Sequence, residues 1–324
     1  MTSHVYKYEV FMNNVSEVSI GVDISKSSLD IALYPSGEWL KIANTKLEIT
    51  KFVKRLSQYD VKQVACEATG GYEKLLVKLL KQHSYSCWIV DPRRIKGFIT
   101  ASGCKNKTDK IDAQKIAEFA SKNSPDYEPI CRTSHDEMLR ALVSRRQDLT
   151  KTLAEEKTRL KHSTHELSVA SIERMILFLN KEIKTADKQL STLIAKDTEL
   201  QRKAGLLESI PGVGQTSATL LLSFVPELGT LSNNEIAALV GVCPYSRESG
   251  NYIGKRFIRG GRVIPRNALY MCALTTIRLF PPLKAFYDRL IANKKCFKVA
   301  IVSVMRKLII LANVILKNGE PCKA

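Results

Sequence analysis

The segment between residues 18 and 90 alternates short apolar runs with amphipathic ones, and this order constrains the fold more than any other feature of the chain. The predicted elements, in order, are strands over 18–24, 29–34 and 38–42, a helix over 47–56, a strand over 63–66, a helix over 72–83, a strand over 86–90 and a basic loop or helix after Asp91-Pro92. A βββαβαβα order predicts a mixed α/β sheet with helices packed on it.

Two of the buried-looking strands end in an acidic residue. Asp23 lies near the end of the first strand, and Glu67 follows the apolar run that ends at Cys66. A carboxylate at the end of a buried strand must be paired, hydrogen-bonded or metal-bound to offset its desolvation. Ligand sites of open α/β sheets lie at the carboxyl ends of strands, where both acids fall.

A second pair of acids opens the helical pattern that begins near Lys107. Asp109 and Asp112 lie three residues apart, so they share one face of the predicted helix. Alone, the pair is best explained as first-turn acids that offset the helix macrodipole. Lys107 and Lys110 beside them are either phosphate contacts or solvated lysines.

The four acids Asp23, Glu67, Asp109 and Asp112 have a joint explanation that none has alone. Four carboxylates on one site would repel one another unless cations lay among them. Two Mg²⁺ ions held in this way activate a nucleophile and stabilise a leaving oxygen in phosphodiester chemistry. The pattern favours a metal-dependent nucleic-acid enzyme and requires the four carboxylates to converge on one cleft.

The net charge of +18 indicates a polyanionic partner, either nucleic acid or an anionic membrane surface. From the sequence, we expect no apolar run long enough to cross a bilayer and no signal-peptide core at the N-terminus. The expected partner is therefore nucleic acid rather than a membrane. The eight cysteines lack CxxC spacing, which predicts reduced thiols and a cytoplasmic protein. Residues 1–16 are expected to be a flexible lead-in, within which Met12 is an alternative start.

Residues 131–205 form a predicted helical linker that follows an N-terminal domain over 17–130. Leucines from Leu139 to Leu160 fit a heptad interrupted by Arg146 and Glu156, and a cleaner repeat follows from Ile172. Residues 168–171 are predicted to be the turn between two antiparallel arms. The hairpin either spaces two domains or also sets oligomerisation as a coiled coil.

Residues 206–324 form the predicted C-terminal domain, which carries +10 of the net charge. The segment 207–218 has the form of a helix-hairpin-helix, in which Gly212, Val213 and Gly214 would present backbone amides to a DNA phosphate. A glycine-rich loop follows over 241–262. Its basic residues suit phosphate contacts and are Arg247, Lys255, Arg256, Arg259 and Arg262.

These motifs, taken with Ser249-Gly250, resemble the DEDD insertion-sequence transposases, which include the Piv-type DNA invertases and the bridge-RNA-guided recombinases. The resemblance covers residues 17–315 in the same order. It implies an RNase H-like, RuvC-like domain, a coiled-coil linker and a mainly α C-terminal transposase domain. It also implies that Asp23, Glu67, Asp109 and Asp112 hold Mg²⁺.

The same resemblance implies that Ser249 is the nucleophile, with Ser246 as the alternative three residues upstream. Ser249 of one protomer would meet the acids of another and form a covalent phosphoserine link to DNA. The expected protein is therefore a Mg²⁺-dependent DNA transposase or site-specific recombinase that acts as a dimer or tetramer. A guide RNA is compatible with the basic charge. The alternatives are a RuvC-like junction nuclease and a non-catalytic nucleic-acid-binding protein.

Overall fold

The computed structural model describes residues 17–104, 106, 108–125, 133–246, 248–250, 252–254 and 256–322. The chain divides into two compact units, Met1–Pro129 and Ile130–Ala324. The predicted lead-in over 1–16, Lys107, Arg247 and Lys255 lie outside the described residues.

The first unit has the element order that the sequence predicts, and the basic segment after Asp91 is a helix. Its elements are β1 (Glu17–Ile24), β2 (Ser28–Tyr34), β3 (Trp39–Ala43), α1 (Lys46–Arg55), a 3-10 turn (Leu56–Gln58), β4 (Asp60–Glu67), α2 (Lys74–Gln82), β5 (Cys87–Val90), α3 (Pro92–Ala101) and α4 (Asp109–Lys122). The N-terminal region is therefore a mixed α/β domain, as expected.

The five strands form one sheet in the order β3-β2-β1-β4-β5. β1 pairs antiparallel with β2 and parallel with β4, β2 pairs antiparallel with β3, and β4 pairs parallel with β5. β1 is the central strand, buried on both faces. Its carboxyl end lies beside that of β4, because the two strands run in parallel.

The two faces of the sheet pack against different helices. On one face, Ile20 and Val22 of β1 belong to a core that includes Phe52 of α1 and Leu76 of α2. Because side chains alternate along a strand, Gly21 and Asp23 point to the opposite face, which α4 covers.

Gly21 permits an unusually close approach between β1 and α4. A Cβ at this position would lie 2.2 Å from the backbone nitrogen of Ala117 and 2.3 Å from the carbonyl oxygen of Ala113. Both alanines are buried, and they pack with Ala32 of β2. Small residues on both elements therefore let the backbone of the helix rest on the strand.

The second unit is mostly helical, as expected. Its elements are α5 (Ser134–His162), α6 (Glu166–Ala195), α7 (Thr198–Glu208), α8 (Gln215–Phe224), α9 (Asn233–Val240), β6 (Pro244–Tyr245), β7 (Glu248–Ser249), β8 (Tyr252–Ile253), β9 (Phe257–Ile258), α10 (Val263–Leu279), α11 (Pro281–Ala292) and α12 (Phe297–Asn318).

Helices α5 and α6 form an antiparallel hairpin, but the predicted position of its turn is wrong. Residues 168–171 lie inside α6, and the connection is made by residues 163–165. Leu149 and Leu153 pack against Leu179 across the hairpin. The interruption of the heptad at Arg146 is explained by an ion pair with Asp187 of α6. The Nε atom of Arg146 lies 2.5 Å from the Oδ1 atom of Asp187.

Helix α12 corrects the expectation that no apolar run is long enough to cross a bilayer. Its 22 residues satisfy the length and composition of a membrane span. Ten of its residues are buried, and most of them belong to the core of the second unit. That burial is the pattern of a core helix.

We predict that Gly21→Ala destabilises the first unit by about 3 kcal/mol, the upper end of the range for overpacking, because the new methyl group would meet backbone atoms on both sides. The matched control is Gly97→Ala. Gly97 lies in α3, and no atom lies within 4 Å of the position that its Cβ would take. An alanine there should change stability by at most about 1 kcal/mol, in the favourable direction. Urea unfolding followed by circular dichroism measures both. Equal stability of the two variants would contradict the close approach of α4.

Candidate active site

Three acidic side chains lie in one row across neighbouring strands, on the face of the sheet that α4 covers. Asp23 of β1 is directly opposite Asp30 of β2. On the other side of β1, Val22 pairs with Cys66 in parallel register, so Asp23 and Glu67 each follow that pair by one residue. Alternation along the strands turns all three carboxylates to the same face.

The first turn of α4 carries the other two predicted acids to this row. Thr108 caps the helix, since its hydroxyl accepts a hydrogen bond from the backbone nitrogen of Ile111 at 3.3 Å. Asp109 and Asp112 then occupy the first turn. Both are close enough to Asp23 for their charges to act on its carboxyl group.

The pKa of Asp23 is raised above its ordinary value. The largest cause is desolvation, because the side chain is half-buried, followed by repulsion from Asp112, Asp109 and Asp30. The charges that act most strongly on Asp23 are therefore carboxylates. This is the electrostatic signature of acids gathered on one site.

A lysine lies at one end of the row. The Nζ atom of Lys41 in β3 is 2.9 Å from Asp30 and 3.5 Å from Asp109. Its pKa is raised, chiefly by the hydrogen bond to Asp30. Sequence reasoning missed both Asp30 and Lys41. The short turns between β1, β2 and β3 set the register of these strands. That register is the signal that would have placed Asp30 and Lys41 beside Asp23.

Among the residues that the structure describes, no three acidic, histidine or cysteine side chains stand close enough to form a ready-made metal site. The structure thus brings Asp23, Asp109 and Asp112 into electrostatic contact and sets Glu67 on the adjacent strand end. The side chains would have to turn toward a common ion to coordinate it.

Ser249 lies on a small double ribbon in the second unit. β7 and β8 form a hairpin in which Ser249 pairs with Tyr252, and β6 pairs with β9 outside it. Ser246 and Ser249 are both exposed. Gly250 follows Ser249 with a φ of 55°, which a glycine adopts without strain. Both candidate nucleophiles are therefore accessible to a DNA strand.

The predicted basic contacts of this loop differ in what they touch. Arg256 approaches Glu248 at 3.5 Å, and Arg259 lies over the ring of Tyr245 at 5.4 Å, both on the surface. Arg262 instead donates to both carboxylate oxygens of the buried Glu227, with its Nη2 atom 2.7 Å from Oε1. Because its guanidinium is engaged within the protein, we leave Arg262 out of the proposed phosphate surface.

The predicted hairpin motif is a turn between α7 and α8. Gly212 has a φ of 96°, and its Cα packs against Thr276 of α10, since a Cβ there would lie 2.4 Å from the threonine hydroxyl. Val213 is buried, which anchors the turn. Gly214 is exposed and offers no side-chain acceptor to the first backbone amides of α8.

Comparison with known proteins gives matches in both units. The sequence model of the IS110-type DEDD transposase family matches residues 20–166. The sequence model of the transposase IS116/IS110/IS902 family matches residues 204–288. Together they cover more than half of the chain, and they include the four acids, the hairpin and the serine loop.

Three relatives show how far the likeness extends. The pilin gene-inverting protein of Moraxella lacunata is 28% identical over 320 residues, which cover 95% of this chain and 98% of the relative. The transposase for insertion sequence element IS1111A of Coxiella burnetii is 24% identical, over 87% of this chain and 86% of its own length. A protein of insertion element IS110 from Streptomyces coelicolor is 25% identical over 158 residues, which cover 48% of this chain and 38% of the relative.

The matches define the protein as a DNA-rearranging enzyme, a transposase or recombinase. The chain belongs to the IS110-type DEDD transposase family, which confirms the resemblance seen in its motifs.

We predict that Asp23→Asn stabilises the protein near neutral pH when divalent cations are chelated. The folded protein has a raised Asp23 pKa, whereas the unfolded chain titrates near 3.8. Between these two values the folded state binds more protons, so the free energy of unfolding falls as pH rises through this window and stays lower above it. The Asp23→Asn variant has no carboxyl group at this position, so its free energy of unfolding does not fall in this way as pH rises.

Thermal unfolding from acid to neutral pH measures the effect. The Tm of Asp23→Asn should exceed that of the wild type at neutral pH, and the difference should shrink as pH falls. Asp60→Asn removes the same charge from an exposed position at the start of β4 and is the control. A lower Tm for Asp23→Asn at neutral pH would contradict the crowding of carboxylates around Asp23.

Proposed function

We propose that this transposase cleaves and exchanges DNA strands in a Mg²⁺-dependent reaction in which Ser249 is the nucleophile. The observation that carries the proposal is the row of acids beneath α4. Asp23 is repelled by Asp109 and Asp112, and Glu67 lies level with it on the neighbouring strand β4. Carboxylates brought together at this cost to stability are characteristic of functional sites.

The first unit is proposed to be an RNase H-like, RuvC-like domain. Three antiparallel strands followed by two parallel ones, in the order β3-β2-β1-β4-β5, support this assignment. Two of the acids lie at the carboxyl ends of the adjacent parallel strands β1 and β4. That edge of an α/β sheet is where ligand sites occur.

The donor set fits Mg²⁺. The four proposed ligands offer only carboxylate oxygens, which this ion prefers. The repulsion among Asp23, Asp109 and Asp112 would be relieved by a divalent cation. When bound, one or two such ions would supply positive charge to the attacking and leaving oxygens of a phosphodiester. Asp23 and Glu67 would hold them from the sheet, and Asp109 and Asp112 from the helix.

The proposed chemistry of Ser249 is a transesterification. Its hydroxyl gives up a proton and its Oγ atom forms a bond to phosphorus, while the bond from phosphorus to a sugar oxygen breaks and that oxygen takes up a proton. The product is a phosphoserine ester. A sugar hydroxyl of another strand then attacks the ester and releases the serine, so the number of phosphodiester bonds is conserved and no other reactant is needed.

DNA would be held mainly through its backbone. The first backbone amides of α8, which have no side-chain cap, would suit a phosphate. Arg256 and Arg259 flank the serine ribbon on the surface and would add contacts that do not depend on sequence. Arg247 and Lys255 belong to the same loop and are proposed to act with them.

The proposed partners are the DNA ends of the element and its target. Transposition and inversion both require two DNA segments to be held at once. We therefore expect a homo-oligomer in which Ser249 of one protomer and the four acids of another act on the same phosphodiester. A guide RNA would suit the same basic surface.

The test traps the covalent intermediate. Cells carry a plasmid with this gene and its flanking DNA, and adducts are collected under denaturing conditions, digested with nuclease and mapped by mass spectrometry. We predict a nucleotide on Ser249, its loss in Ser249→Ala, and its retention in Ser246→Ala, the matched control on the same ribbon. Asp23→Asn should also lose it.

Two results would overturn parts of the proposal. An adduct that persists in Ser249→Ala and disappears in Ser246→Ala would move the nucleophile to Ser246. DNA cleavage that survives in Ser249→Ala with no adduct in any variant would favour a RuvC-like nuclease that hydrolyses DNA.

A further inference from the structure

Lys41 contacts two acids that differ in their exposure to solvent. Its Nζ atom lies 2.9 Å from Asp30, whose side chain is 5% exposed, and 3.5 Å from Asp109, whose side chain is 67% exposed. Asp30 also faces Asp23 across the β1–β2 pair. A lysine on the edge strand therefore links the sheet to the first turn of α4.

The contact with Asp30 is the permanent one. A buried carboxylate beside another carboxylate requires a counter-ion, because like charges directly opposite in an antiparallel pair are unfavourable. Among the described residues, Lys41 is the cation in ion-pair contact with Asp30. Asp30 would therefore stay paired with Lys41 and is not expected to be a metal ligand.

The contact with Asp109 is the exchangeable one. It is longer and lies between two exposed side chains, and such ion pairs contribute little free energy. The start of α4 has a second link to the same strand, since the Nζ atom of Lys110 lies 5.0 Å from the ring centroid of Trp39. Helix α4 therefore does not depend on Lys41 alone for its position.

We infer that Lys41 is a resident cation of the acid cluster that holds Asp109 toward Asp30 and gives up Asp109 when a divalent ion binds. This inference rests on the proposed function, because Asp109 must be a ligand of that ion. Lys41 is a positioning residue, and it lowers the affinity of the site by competing for one ligand and by repelling the ion. Its removal should therefore tighten metal binding.

The test measures binding of Mn²⁺ alone to the purified full chain, from the loss of the free-ion signal in electron paramagnetic resonance. We expect Lys41→Met to bind Mn²⁺ about tenfold more tightly than wild type, the effect of removing one positive charge a few ångströms from a divalent ion in a water-like dielectric. Lys41→Arg keeps the charge and should bind like the wild type.

Lys51→Met is the matched control, because Lys51 forms a similar exposed ion pair with Glu48 on α1, at 2.8 Å. It should also bind like the wild type. Should Lys41→Met fail to fold with Asp30 unpaired, the comparison is made in an Asp30→Asn background. Adding Lys41→Met to that variant leaves no buried charge without a partner, and the same gain in affinity is expected.

Unchanged or weaker binding in Lys41→Met, or the same gain in Lys51→Met, would overturn the inference while leaving the metal site intact. A different result would contradict the proposed metal site itself, namely that Asp23→Asn binds Mn²⁺ as tightly as the wild type does. The two failures are therefore distinguishable.

Discussion

The close packing of α4 on β1 is the contact on which the candidate site depends. Gly21 leaves no side chain between the strand and the helix, so the backbone of α4 lies directly on the sheet at Ala113 and Ala117. Two residues further along β1, the same face carries Asp23. One helical turn before Ala113, the helix begins with Asp109. The steric fit of small residues thus brings the first turn of α4, with Asp109 and Asp112, close to Asp23.

This arrangement concentrates negative charge in a protein that is basic as a whole. Desolvation and three neighbouring carboxylates raise the pKa of Asp23, and only part of that charge is balanced by Lys41. Packing around the α4 face, through Trp88, Ile116 and the other apolar residues of that core, holds the acids together despite their repulsion. Carboxyl groups whose pKa values are raised by burial and by neighbouring carboxylates are characteristic of functional sites.

Much of this could be predicted from the sequence, because strand periodicity and the position of an acid at the end of an apolar run are local signals. The positions of Asp23 and Glu67 near the ends of strands and the start of α4 at Asp109 were predicted in this way. Asp30 and Lys41 were missed because their importance comes from strand register, which only pairing reveals. Arg262 looked like its basic neighbours, and its partner Glu227 lies 35 residues away. The turn of the α5–α6 hairpin was misplaced because residues 168–171 lack a helix breaker, and packing of the arms set the break at residues 163–165.

We propose that the sheet and the start of α4 present their acids to a divalent ion. A crystal of the full chain soaked in Mn²⁺ would locate that ion by its anomalous signal. We expect a peak bound by Asp23 together with Asp109 or Asp112, with Glu67 in reach and Lys41 turned from Asp109 toward Asp30. A peak elsewhere, or no peak with Asp109 and Asp112 turned away from Asp23, would contradict it.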